Sequence, residues 1–159
     1  MRRKDREITD VEEILKIMDK CDVCRIALFD EEYPYIVPLN FGYEQKETGL
    51  ELYFHGAKEG KKLSLIEKNK KACFEMDCSH NLVTGEDACD YTMEFESVIG
   101  YGSIVLLEEA EKMEALKGLM KQYTKDSNLN FNPGAVKAVT VFKLVVEQIT
   151  GKRLIENVN

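Results

Sequence analysis

The stretch Leu52-Tyr53-Phe54-His55-Gly56-Ala57-Lys58-Glu59-Gly60-Lys61-Lys62-Leu63 decides how the rest of the chain is read. An apolar run ends in a histidine, two glycines free the backbone, and a lysine pair opens a short helix over Gly60 to Asn69. The first N–H groups of a helix have no intrahelical partner, and its dipole favours negative charge beside them. Two lysines at the same point suit the segment to an anion, a phosphate above all. A charge-assisted bond is worth about 1.5–3 kcal/mol and a helix terminus about 0.3–1 kcal/mol. The same residues also read as a solvated Lys-Lys pair on a surface helix, and both readings stand at this point.

Working outward, Glu47-Thr48-Gly49 turns the chain into the strand Leu50 to His55. Before it, Val23 to Phe29 reads as a strand, Asp30-Glu31-Glu32 as a turn and Tyr35 to Tyr43 as one hairpin partner. Tyr35, Val37, Leu39 and Phe41 alternate there with Ile36, Pro38 and Asn40, the period of a pleated strand. Pro38 cannot donate to a ladder, which places this strand at an edge or bulges it. Thr9 and Glu12 stand at capping-box spacing, and Val11, Ile14, Leu15 and Met18 share one face of a first helix ending near Lys20. After the opening stretch, Ala72 to Met76 reads as a strand and Ser79 to Tyr91 as a long polar loop. Thr92 to Leu107 is a long strand, Glu108 to Tyr123 an amphipathic helix, Thr124 to Gly134 irregular, and Ala138 to Ile149 a last strand closed by Gly151. Six strands and three helices in this order do not suit a repeated βαβ plan. The expectation is a mainly β (α+β) fold, an antiparallel sheet curled into a small barrel with helices at its flank, in one domain over residues 1–159.

A chain of 159 residues with 44% hydrophobic and 32% charged residues has ordinary globular composition. Its net charge of −7 argues against a nucleic-acid partner, which calls for a basic face. No apolar run reaches membrane-span length and no secretory leader opens the chain, so a cytoplasmic protein is expected. The basic cluster Met1 to Arg6 reads as a tail or a strap over an anionic neighbour. Five cysteines, an odd number, fit reduced thiols in a reducing compartment.

Several motif readings fail on their spacing. Gly56-x-x-x-Gly60-Lys61-Lys62 is one residue short of a nucleotide-triphosphate loop and lacks the hydroxyl residue that holds magnesium. Gly100-Tyr101-Gly102 is followed by strand and has Val105 at the third glycine position, unlike a dinucleotide fingerprint. Cys21-Asp22-Val23-Cys24 follows a helix and precedes a strand, the reverse of a reactive redox pair, and reads as core or boundary cysteines. A zinc set from Cys21, Cys24, Cys73, Cys78 and His80 lacks regular ligand spacing, so no metal is expected. His55 is the ionisable group of interest, either satisfied by backbone at a strand end or placed beside a small anionic or carbonyl substrate.

The N-terminal segment Met1-Arg2-Arg3-Lys4-Asp5-Arg6-Glu7-Ile8, then Arg25-Ile26-Ala27-Leu28 and Pro34-Tyr35-Ile36-Val37-Pro38-Leu39-Asn40-Phe41-Gly42-Tyr43, resemble the pyridoxamine 5′-phosphate oxidase-related flavoproteins. Leu52 to Ala57 with Gly60-Lys61-Lys62, then Ser97-Val98-Ile99-Gly100-Tyr101-Gly102 and Ile149-Thr150-Gly151-Lys152, continue the pattern in order. The match is closest to the Nim-type, 5-nitroimidazole-resistance branch and covers nearly the whole chain. The resemblance implies a split β-barrel that forms a homodimer with FMN at the subunit interface. It would set Pro38, Leu39 and Asn40 beside the flavin ring, with His55 and Ala57 at the strand end and His55 as the catalytic group. It would give the phosphate to Gly60, Lys61 and Lys62, and have Glu96, Ser97 and Val98 reach over from the partner subunit. The implied activity is that of an oxidoreductase acting on a small nitro compound or quinone-like acceptor. A non-catalytic flavin- or haem-binding module and a pyridoxamine phosphate oxidase-like enzyme are the alternatives. A flavin carries its own redox chemistry, which accounts for the lack of an acid-base or nucleophile motif.

Overall fold

The structure is a computed structural model that describes residues 3–126 and 128–155; Met1 and Arg2 of the N-terminal segment lie outside the described residues. Among the described residues there are eight strands: β1 Glu7–Ile8, β2 Cys24–Leu28, β3 Tyr35–Leu39, β4 Gly42–Lys46, β5 Gly49–Ala57, β6 Lys71–Val83, β7 Thr92–Leu106 and β8 Val139–Leu154. Four α-helices accompany them: α1 Val11–Met18, α2 Lys61–Lys68, α3 Glu109–Met120 and α4 Pro133–Ala138. The strands run antiparallel in the order β3-β2-β6-β7-β8-β5-β4, with β1 added beside β8. The two edge strands, β3 and β4, are joined by only Asn40 and Phe41. Three Cα steps reach at most about 11 Å, so the sheet must curl until its two edges stand side by side. The result is an antiparallel barrel left split between β3 and β4.

This split divides the strand expected over Tyr35 to Tyr43. Its alternation is real, with Tyr35, Val37 and Leu39 packed against the core and Ile36 and Pro38 outward. The chain leaves the sheet after Leu39, however, and re-enters it at the opposite edge. Pro38 sits on the edge strand β3, paired with Arg25 alone, as its missing donor requires.

Burial explains the apolar run of β5. Phe54 faces the barrel interior, stacked on Phe142 of β8 with ring centroids 5.3 Å apart. Its neighbour Tyr53 faces the other way, into a second core formed with Leu116 and Leu119 of α3 and Val141. A strand covered on both faces has no reason to alternate. Helix α1 closes one end of the barrel with Ile14, Ile17 and Met18, all buried, while Val11 is exposed. Its cap is Asp10 rather than Thr9, because the Asp10 carboxylate accepts the Glu13 N–H at 3.1 Å.

Three further expectations are corrected. Ser79 to Val83 is not loop but the continuation of β6 past a register shift between Cys78 and Asn81. Ser79, His80 and Asn81 are polar and Leu82 is exposed, so no burial pattern marks them as strand. Gly151 does not close the last strand: β8 runs through it to Leu154, and its α-carbon leaves room for Ile8 of β1 and Ile14. The segment Lys4 to Ile8 is a 3-10 turn and a short strand on β8 rather than a tail.

Candidate functional site

Strand β4 covers β5 only as far as Tyr53, which it meets at Gly42, whereas β8 covers β5 out to Ala57. His55, Gly56 and Ala57 therefore lack a strand neighbour on one side. They stand at the split, at the end of the barrel where Asn40 and Phe41 cross.

Beyond Ala57 the chain turns through Gly60, whose φ of 133° strains any other residue, and enters α2. No side chain caps this helix and its first turn holds no acid. The Leu63 and Ser64 amides bond back to the Gly60 carbonyl, leaving those of Lys61 and Lys62 among the unpaired groups of a helix start. The Lys62 ammonium lies against the backbone of β5, since a Cβ on Gly56 would stand 2.3 Å from its Nζ. Among the described residues it has no carboxylate partner. Lys61 is employed differently: it pairs with Asp30 in the β2–β3 turn at 2.5 Å and lies 5.1 Å over the Tyr35 ring. Helix α2 is thus tied across to the β3 side of the split, with one lysine serving as the tie and the other free.

His55 is half-buried, and its Nδ1 is buried without a hydrogen-bond partner. Burial, then the Lys62 ammonium, pushes its pKa below the ordinary 6.5. A neutral imidazole with an unsatisfied ring nitrogen beside a free ammonium and free helix N–H groups is an arrangement short of an acceptor-rich ligand. A buried polar group without a partner costs about 1–3 kcal/mol, and a ligand that supplied one would recover it.

Pro38 and Leu39 line the β3 rim of the split, Pro38 exposed and outward, Leu39 half-buried and inward. Asn40 holds the crossing itself. Its amide donates to the Tyr123 hydroxyl at 3.2 Å and the Asp22 carbonyl at 3.4 Å. The same hydroxyl accepts the Phe41 N–H at 2.9 Å and donates to Asp22 O at 2.8 Å.

Glu96, Ser97 and Val98 lie in β7, away from this rim. Glu96 is 1% exposed. It accepts from Lys20, from Arg153 Nε at 2.6 Å and from the Ser79 hydroxyl at 2.8 Å. Burial raises its pKa, but these bonds outweigh burial and leave it lowered. Val98 is fully buried in the barrel core. Both side chains are thus spent within their own chain, and only Ser97 between them points outward.

The cysteine and histidine set weighed for zinc does not assemble. Among the described residues no three His, Cys, Asp or Glu side chains are grouped as metal ligands. Cys73 is exposed on the outer sheet face, and His80 pairs with Asp77 at 2.8 Å. The sequence reading missed Asp30, Tyr35 and Tyr123. The acidic turn Asp30-Glu31-Glu32 opposite a lysine pair was the available signal for the first. Nothing local marks Tyr123, which lies 82 residues or more from its partners.

The outer face of β3, β2, β6 and β7 carries exposed apolar side chains in register. Ile36 lies beside Ala27, which pairs with Cys73 and through it Tyr101; Pro38, Arg25, Glu75 and Ile99 form the adjacent row. Ile36 is 62% and Ile99 53% exposed. Among the described residues no helix is long and apolar enough to cross a membrane.

The pyridoxamine 5′-phosphate oxidase family model matches residues 10–153. Comparison with curated proteins finds no match. Among solved structures, a candidate 5-nitroimidazole antibiotic resistance protein from Bacteroides thetaiotaomicron is similar at 36% identity and a TM-score of 0.79. The match covers 92% of this chain and 86% of that one. The flavocytochrome Anf3 from Azotobacter vinelandii shares the fold at 19% identity and a TM-score of 0.81, over 98% of this chain and 72% of its own. An FAD and heme binding protein from Mycobacterium smegmatis shares it at 15% identity and 0.80, over 95% and 74%.

Proposed function

The chain belongs to the pyridoxamine 5′-phosphate oxidase family, and from that premise we propose that it is a homodimeric, FMN-dependent oxidoreductase that reduces a small acceptor, a nitro compound or a quinone. The observation that carries the reading is the unpartnered buried Nδ1 of His55 beside the uncapped start of α2 and the free Lys62 ammonium. Those groups fit a ligand with an anionic end and a polar ring. The resistance protein at 36% identity supports a nitro compound as acceptor.

In this reading Lys62 and the first α2 amides hold the phosphate, and Lys61 keeps α2 docked on Asp30. Pro38, Leu39 and Asn40 form the rim against which the ring lies, with the Asn40 side chain fixing that rim. His55, neutral near pH 7, offers a nitrogen to the ring or to the acceptor and stays in place because β8 holds it at Val141. A bound flavin supplies the hydride or electron transfer. The apolar outer face of the β3 side is where a second subunit would close over the split.

The test is the visible spectrum of the purified protein before and after addition of FMN, followed by anaerobic reduction and exposure to a nitroimidazole or a quinone. The expected result is a flavin spectrum that is bleached by reductant and restored by acceptor. Protein that stays colourless with FMN sinks the proposal. A haem spectrum, or a flavin that no acceptor reoxidises, makes it a non-catalytic binding module. Oxidation of pyridoxamine phosphate makes it a pyridoxamine phosphate oxidase-like enzyme.

A further inference from the structure

The cysteine that sequence spacing pairs with Cys21 is Cys24, but the fold pairs it with another. The Cys21 thiol donates to the Ile17 carbonyl at 3.3 Å, and the Cys78 thiol points at the same oxygen from β6 at 3.8 Å. The two thiols thus converge on one carbonyl oxygen. Cys24 faces the core from β2, and among the described residues no hydrogen bond joins it to Cys21. We propose that Cys21 and Cys78 form a reversible dithiol–disulfide pair, an oxidation site joining the turn after α1 to the bulge of β6.

The surroundings make the closure feasible. A disulfide needs its sulfurs about 2 Å apart with a rotated C–S–S–C dihedral, so one backbone must give. Cys78 is the last residue before the β6–β7 ladder skips Ser79 and His80, and Ser79 has a positive φ of 58°. Cys21 lies in the turn between α1 and β2, outside any ladder. Neither sulfur is anchored by regular structure on both sides.

The two thiols also divide the chemistry between them. Cys21 is buried, and burial first, then the neighbouring Cys78, pushes its pKa up, so it stays protonated. Cys78 is half-exposed and accepts the Ser79 hydroxyl at 3.6 Å. With hydrogen peroxide as oxidant, the Cys78 sulfur attacks one peroxide oxygen and the O–O bond breaks, giving a sulfenic acid and water. The Cys21 sulfur then attacks Cys78 Sγ; the S–S bond forms, the S–O bond breaks, and hydroxide leaves as water with the Cys21 proton. Two thiols lose two electrons and two protons to one peroxide, which becomes two waters.

Ser79 couples the pair to the buried Glu96 cluster, since its hydroxyl reaches both Cys78 and Glu96. Drawing Cys78 toward Cys21 therefore moves the residue that bonds Glu96, and with it the contact of Lys20 and Arg153.

The test is peroxide treatment of the intact folded protein, alkylation of the remaining thiols under denaturing conditions, and peptide mapping by mass spectrometry. The expected result is a cross-linked Cys21–Cys78 peptide pair, with Cys24, Cys73 and Cys89 alkylated, and full return of both thiols on reduction. A Cys21–Cys24 bridge overturns the proposal, as does oxidation confined to Cys73 and Cys89. In Cys21→Ser, a sulfenic-acid probe should label Cys78 several-fold more than in the wild-type protein, because the resolving thiol is gone. Equal labelling in the two proteins also overturns it.

Discussion

Lys61 and Lys62 are adjacent in sequence and opposite in role. Lys61 is spent on Asp30, a pair screened by solvent, while Lys62 is free over Gly56. Under the flavin proposal, Lys62→Ala should weaken FMN binding by about 1.5–3 kcal/mol, one charge-assisted bond. Lys61→Ala should cost clearly less; fluorescence titration reads both, and a larger loss at Lys61 would contradict the assignment. His55 makes a second prediction. Its folded pKa lies below 6.5, so between the two values the unfolded chain binds more protons than the folded one. The stability this group contributes is whole above pH 6.5 and falls as the pH drops toward the folded pKa. His55→Gln should flatten that part of the profile of urea midpoint against pH. An unchanged slope would mean the imidazole titrates alike in both states.

At the scale of elements, the docking of α3 on the β4–β5 hairpin depends on an absent side chain. A Cβ on Gly42 would stand 2.3 Å from the Leu119 Cα and 2.5 Å from the Gly118 carbonyl oxygen, and both are backbone. Gly42→Ala should cost about 1–3 kcal/mol, the usual price of overpacking, read as a drop in the denaturant midpoint. A neutral result would show that α3 can ride outward freely. Elements with a burial rhythm or an unbroken apolar run were legible in the sequence: α1, β2, β5 and β7 lie within a residue or two of their expected bounds. Those that failed lack such a signal. Asn81 to Val83 rejoin β6 by pairing across to β7 without a burial pattern, and the break at Asn40 is held by a tyrosine in the turn after α3, far off in sequence. At the site, the uncapped helix start and the placement of His55 were readable from Gly56, Gly60 and the lysines. The Asp30 tie and the inward use of Glu96 were not, because each rests on a partner many residues away.

For the whole molecule, the outer face of β3, β2, β6 and β7 leaves Ile36, Ile99 and Tyr101 exposed. Under the dimer proposal the protein should sediment as two copies, and Ile99→Asp, which sets a second acid beside Glu75 at the β7 end of that face, should shift it to one copy and lower FMN affinity together. A dimer undisturbed by that change would place the interface elsewhere. The overall plan was legible because hairpin order survives errors at strand ends, whereas the path across the split was not. One property of the sheet reaches beyond the finished protein. Among the described residues strand β8 alone pairs with both the β4–β5 hairpin and the β3-β2-β6-β7 half, and it is the last strand of the barrel to be synthesised. Until Val139 to Leu154 has left the ribosome, β5 and β7 each present an open edge, of the kind that pairs wrongly with other chains. Folding of the nascent chain must therefore be a late, single event rather than a stepwise one. Ribosome-bound chains ending before Val139 should be digested by protease, and those with β8 free of the exit tunnel should resist it.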